Sequence, residues 1–104
     1  MLGELEQLVL LAILRVGDEA YGVAILAELE RQTGRAVSLA TVHKTLARLE
    51  SKGWIASRVG EPTAVRGGRA KRYYALTAPG HAALRHTVAV FERMTRGLAL
   101  GLEP

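Results

Sequence analysis

The sequence has no cysteine, which excludes disulfide bridges, thiolate metal sites and cysteine nucleophiles. That lack fits a reducing compartment. Aromatic residues are scarce, at 5% of the chain with one Trp and one Phe, so a ligand site walled by stacked rings has little material. Long apolar runs are missing as well. The uninterrupted run near the N-terminus, Leu8 to Leu14, is far short of a membrane span. It follows Glu4 and Glu6 rather than the basic residues of a secretory signal. The expectation is a cytoplasmic protein with no membrane partner.

Between residues 31 and 91 negative charge is nearly absent: Glu50 and Glu61 stand against eleven bases, whereas residues 1–30 hold six acids and one base. The net charge is +4, and such segregation predicts one basic face, a footprint of nucleic-acid binding. What is present is enough for one small domain: 104 residues, 49% hydrophobic, which buries a modest core.

Periodicity predicts four helices and a hairpin. Leu5, Leu8, Val9, Ala12, Ile13 and Val16 recur at helical spacing, and Gly17-Asp18 stops that helix. Leu10, Leu11 and Leu14 widen its stripe, predicting burial on most sides. A second helix runs from about Tyr21 to Gln32, with Val23, Leu26, Ala27 and Leu29 inward and Gly34 as its terminator. Gly22 costs helix propensity, which predicts close packing at that point. Ser38 caps a third helix with an apolar stripe of Leu39, Val42, Leu46 and Leu49, closed by Gly53. "WIASRV" and "RYYAL" read as two short strands. Thr77 caps a fourth helix that tolerates Pro79 in its first turn.

The predicted fold class is therefore mainly α with a small β-hairpin: a winged helix-turn-helix over residues 1–77, and a C-terminal dimerisation helix over 78–104 packed on the same domain. If the stripe of the third helix faces the core, Thr41, Lys44, Thr45 and Arg48 share the opposite face. Two hydroxyls and two cations without an acid suit a helix laid in the major groove of double-stranded DNA. Ser38 stands at the head of that helix. Arg66, Gly67, Gly68, Arg69, Lys71 and Arg72 then read as a wing, its glycines permitting a tight tip and its bases meeting phosphates beside the groove. The competing reading of both features is solvated charge on an amphipathic surface.

"LVLLAIL", "AYGVAILAELE", "SLATVHKTLARLESKGWI" and "RGGRAKRYYALTAPG" follow one another over roughly residues 3–80, and in that order the chain resembles the short form of the PadR family of bacterial transcriptional regulators. The resemblance implies a homodimeric DNA-binding repressor, often responsive to a small molecule, whose last helix makes the dimer contacts. Leu84, Phe91 and Leu98 repeat every seven residues, with Val88 and Met94 alongside, and such a stripe suits a partner helix. Packing of that stripe on its own domain is the alternative.

The chain departs from the family pattern at Ala40, Thr41, Val42 and His43. His43 stands where the resemblance implies a DNA-contacting tyrosine. It reads either as a phosphate donor, with pH-dependent binding, or as a partly buried neutral ring. Tyr21 reads as a packed aromatic, and Tyr73 and Tyr74 point to opposite faces of a strand. Trp54 reads as a core or interface residue. With Phe91 as the one aromatic of the fourth helix, any small-molecule effector is expected in a small apolar pocket near Phe91, Met94 and the first helix.

Two other classes remain in view. Catalysis is not expected, because no glycine-rich phosphate loop follows a strand, and His81 and His86 are five apart, off the spacing that puts two ligands on one helix face. No metal or cofactor is predicted. A winged-helix protein-protein interaction module without DNA binding keeps the same core, but usually loses the basic face retained here.

Overall fold

A computed structural model of the chain describes residues 2–61 and 70–101. The elements are α1 (Glu4–Val16), a 3-10 turn (Gly17–Glu19), α2 (Gly22–Thr33), α3 (Leu39–Ser51), β1 (Ile55–Val59), β2 (Arg72–Leu76) and α4 (Ala78–Thr95). Except at the end of α4, the predicted boundaries hold to within a residue or two, because strong local signals set them. Gly34 takes the left-handed conformation, φ 69°, that ends α2. The Ser38 hydroxyl accepts from the Thr41 amide at 3.0 Å, and the Thr77 hydroxyl accepts from the Gly80 amide at 3.1 Å, so both predicted N-caps form.

Val9, Leu10, Ile25, Val42, Leu46 and Leu49 are fully buried where α1, α2 and α3 meet. The inward face of α2 differs from the sequence expectation. Val23 and Ala27 are exposed, while Ile25 and Leu29 face the core. Once Leu29 is anchored, the residue one turn back is Ile25, and Val23 and Ala27 rotate outward. Leu39, as the first residue of α3, is also exposed rather than part of the buried stripe. Leu11 and Leu14 leave one side of α1 open to solvent, so that helix is buried on fewer sides than its apolar content suggests.

Two carboxylates tie α1 to its neighbours. Glu28 on α2 accepts from Arg15 at 2.8 Å, from Gln32 at 2.8 Å and from Arg31. The Arg15 hydrogen bond leads in holding its carboxyl below the ordinary glutamate value. Glu6 accepts from Lys52, just beyond α3, at 2.8 Å and from the Gly3 amide at 3.0 Å. The Lys52 bond is the main cause of its lowered pKa, and burial works against it.

β1 and β2 pair antiparallel with Ser57 opposite Tyr74 and Arg58 opposite Tyr73. Tyr21 bridges to Tyr73, and the Tyr74 amide donates to the Ala20 carbonyl at 2.9 Å, which fastens the corner before α2 to the hairpin. Strand alternation sends the two tyrosines apart. Tyr74 packs on the core, where burial raises its phenol pKa. Tyr73 meets the Tyr21 ring edge-on at 5.9 Å between centroids. Trp54 packs against the core, as expected, with Lys52 over its ring.

The fourth helix ends earlier than its hydrophobic pattern suggests. Arg96 leaves the helical region and Gly97 has φ 80°, so Leu98 lies beyond α4. No helix among the described residues is long and apolar enough to cross a membrane.

Candidate nucleic-acid interface

Thr41, His43, Lys44 and Arg48 are all exposed on α3. Their presentation begins at the cap, where the Ser38 hydroxyl accepts from the Thr41 amide and donates to the Thr41 hydroxyl at 2.8 Å. Thr45 corrects the expected face. It is 3% exposed, and its hydroxyl donates to the Thr41 carbonyl at 2.9 Å. A threonine satisfied by the carbonyl one turn back can occupy a buried position, and Val42, Thr45, Leu46 and Leu49 are the side that α3 buries. The spacing signal was present: Thr45 is three residues from Val42 and four from Leu49. The exposed basic face of α3 is thus Thr41, Lys44 and Arg48, with His43 on its flank.

At the end of the hairpin where the strands meet the connecting loop, Lys71 lies with its ammonium 4.1 Å from the Tyr21 ring centroid, and the Arg58 guanidinium lies 4.6 Å from that of Tyr73. Arg72 is less free than a wing base was expected to be. It donates to the Ser57 hydroxyl at 2.9 Å, which donates to the Glu50 carboxylate at 2.7 Å. Arg66, Gly67, Gly68 and Arg69 lie outside the described residues. Arg58 is a further exposed base that the sequence reading did not single out. Its signal was its place on the polar side of an alternating strand. Among the described residues, Lys44, Arg48, Arg58 and Lys71 have no carboxylate partner, so their charge is available to an anion.

The apolar stripe of α4 divides in two. Leu84 is 5% exposed and belongs to the core of its own domain, which corrects its assignment to a partner-facing surface. Val88, Phe91 and Met94 are exposed on α4, and Leu98 is exposed past its end. Phe91 is 52% and Met94 71% exposed, a large apolar area for a small chain. A groove of about 380 Å³ runs between α1 and α4, lined in part by Leu11, Leu84, Val88 and Phe91. A second cavity of about 350 Å³ lies between the hairpin and the end of α1, against Ile13, Leu14, Arg58, Tyr74 and His81. Among the described residues no cluster of three or more His, Asp or Glu side chains is placed to hold a metal ion.

A helix capped into an exposed basic face, followed by a hairpin carrying unpaired cations, defines a winged helix-turn-helix protein. Residues 10–86 match the model of the transcriptional regulator PadR-like family, and the chain belongs to that family. Solved structures agree. The PadR family transcriptional regulator from Eggerthella lenta is 28% identical, with a TM-score of 0.70 over 96% of this chain and 87% of that one. The PadR family transcription regulator from Clostridium difficile is 26% identical, with a TM-score of 0.68 over 94% and 98%. Bordetella bronchiseptica BpsR, whose DNA binding is described as regulated by 6-hydroxynicotinic acid, is 25% identical with a TM-score of 0.68. That match spans 99% of this chain and 65% of BpsR. No functionally curated protein matches the sequence.

Proposed function

We propose that the protein is a homodimeric repressor that binds a roughly palindromic operator in double-stranded DNA. The observation that carries the reading is a set of exposed bases on α3 and on the hairpin, Lys44, Arg48, Arg58 and Lys71, none of them ion-paired among the described residues. Lys44 and Arg48 project from a helix able to enter the major groove, where such side chains read guanine. Lys71, with Arg66 and Arg69 nearby in sequence, meets phosphates and fixes register. Residues 78–104 supply the dimer contacts through Val88, Phe91, Met94 and Leu98, joined by Leu11 and Leu14 of α1. Two copies then set half-sites about one helical turn, or a multiple of it, apart.

A small-molecule response is supported by the similarity to BpsR, and the apolar groove between α1 and α4 is the place for it. A ligand there touches the same helices that meet the partner, so occupancy bears directly on the spacing of the two reading heads.

The deciding experiment is fluorescence anisotropy against the promoter DNA immediately upstream of the protein's own gene, with a scrambled duplex and a salt series. Preference for the promoter by about a thousandfold, falling steeply with salt, supports a specific regulator. Failure to bind either duplex at low salt sinks the reading in favour of a protein-protein interaction module.

A further inference from the structure

Glycine at position 22 is costly for a helix, and the structure shows what the missing side chain makes room for. A β-carbon built on Gly22 falls 2.8 Å from Cε1 and 3.1 Å from Nε2 of His43. Real β-carbons do not approach so closely, so any other residue here displaces the imidazole. Gly22 is the first residue of α2 and is itself buried, whereas His43 lies on the exposed side of α3. The ring is therefore folded back across the start of α2 instead of extending beside Lys44.

We propose that Gly22 is a positioning residue for DNA contact: its bare α-carbon holds the His43 imidazole at the α2–α3 junction, where a ring N–H meets a backbone phosphate. In a helix-turn-helix the first helix of the pair crosses the DNA backbone while the second lies in the groove. A group drawn onto the start of α2 consequently faces phosphate and not base edges. The ring adds to register and leaves base reading to Thr41, Lys44 and Arg48. This inference rests on the DNA-binding reading above.

A β-carbon at position 22 would clash with the far end of a side chain rather than with backbone, so it moves the ring without unfolding the domain. Alanine is also the better helix former. Gly22→Ala, His43→Ala and the double variant are titrated beside the wild type against the promoter duplex. A series of the same duplex carries one neutral methylphosphonate at successive backbone positions. Each single variant is expected to bind about fivefold more weakly, the size of one hydrogen bond, and the double variant no more weakly than either. One methylphosphonate that weakens the wild type should have no effect on His43→Ala or Gly22→Ala.

A merely structural glycine leaves that methylphosphonate pattern unchanged, which overturns the proposal. Wild-type affinity in Gly22→Ala, or penalties that multiply in the double variant, overturn it equally. Should Gly22→Ala lower the melting temperature, the His43→Ala background decides, because removing the ring restores space for the methyl group. No binding by the wild type, visible before any variant is tested, removes the DNA-binding reading and this inference with it.

Discussion

The Thr45 hydroxyl donates to the Thr41 carbonyl at 2.9 Å, and this bond divides two threonines of α3 between opposite roles. Thr41 is exposed beside Lys44 and Arg48, while Thr45 packs with Val42 and Leu49. Thr45→Val is therefore expected to leave operator affinity within about twofold of wild type, and to change stability by roughly 1 kcal/mol or less, since only one satisfied hydroxyl is lost. Arg48→Ala, by contrast, is expected to cost about tenfold or more in affinity at low salt. Anisotropy titrations of the two variants against one duplex separate a face residue from a core residue.

A second expectation concerns the joint between hairpin and α4. Gly80 lies so close to the backbone carbonyl of Trp54 that no β-carbon fits, and backbone cannot step aside as a side chain does. Gly80→Ala is expected to destabilise the fold by about 2 kcal/mol or more through overpacking. Gly22→Ala, which meets only an imidazole, should not. Thermal melts of the pair test the difference directly.

These contrasts also mark what was legible in the sequence. Caps, terminators and strand alternation are local, so Ser38, Gly34, Thr77 and the two strands could be placed from composition and spacing alone. The phase of α2 was not local. Val23 and Ile25 are both apolar, and only the packing of α2 on the core, which buries Leu29, decides which of them turns inward. Spacing from Thr41 sets Thr45 on the outward face, but with Leu39 exposed the buried stripe shifts to Val42, Thr45, Leu46 and Leu49, and the helix itself satisfies the hydroxyl. Gly22 was read as a point of close packing, but its neighbour His43 is twenty-one positions away and becomes visible only when α2 and α3 cross.

Acidification should weaken the domain through two carboxylates. Glu28, bonded to Arg15 and Gln32, and Glu6, bonded to Lys52, both have folded-state pKa values below the ordinary 4.5. A depressed carboxyl contributes stability that is complete above its unfolded value and lost as pH falls through its folded value. The melting temperature is expected to hold from about pH 7 to pH 5 and to fall steadily below that. Glu6→Gln should lower the melting temperature at neutral pH and flatten the acid limb of the curve. A curve with the same acid slope in wild type and variant would assign the lost stability to other groups.

The last expectation separates the two halves of the α4 stripe by their dependence on protein concentration. Leu84 is enclosed by its own chain, so Leu84→Ala leaves a cavity that costs about 2–5 kcal/mol whatever the association state. Its melting temperature should drop by the same amount in dilute and concentrated samples. Phe91 and Met94 are more than half exposed in a single chain, and truncating exposed side chains changes intrinsic stability by only about 0.5 kcal/mol. If they are covered by a second copy, Phe91→Ala and Met94→Ala lower the melting temperature only at concentrations where the wild type is dimeric, because association stabilises the folded state by mass action. Sedimentation velocity should then show the boundary shifting toward monomer at concentrations where Leu84→Ala, while folded, remains associated. A uniform loss for all three variants would mean that the stripe acts within one chain, and the dimer contact would have to be sought elsewhere on the surface.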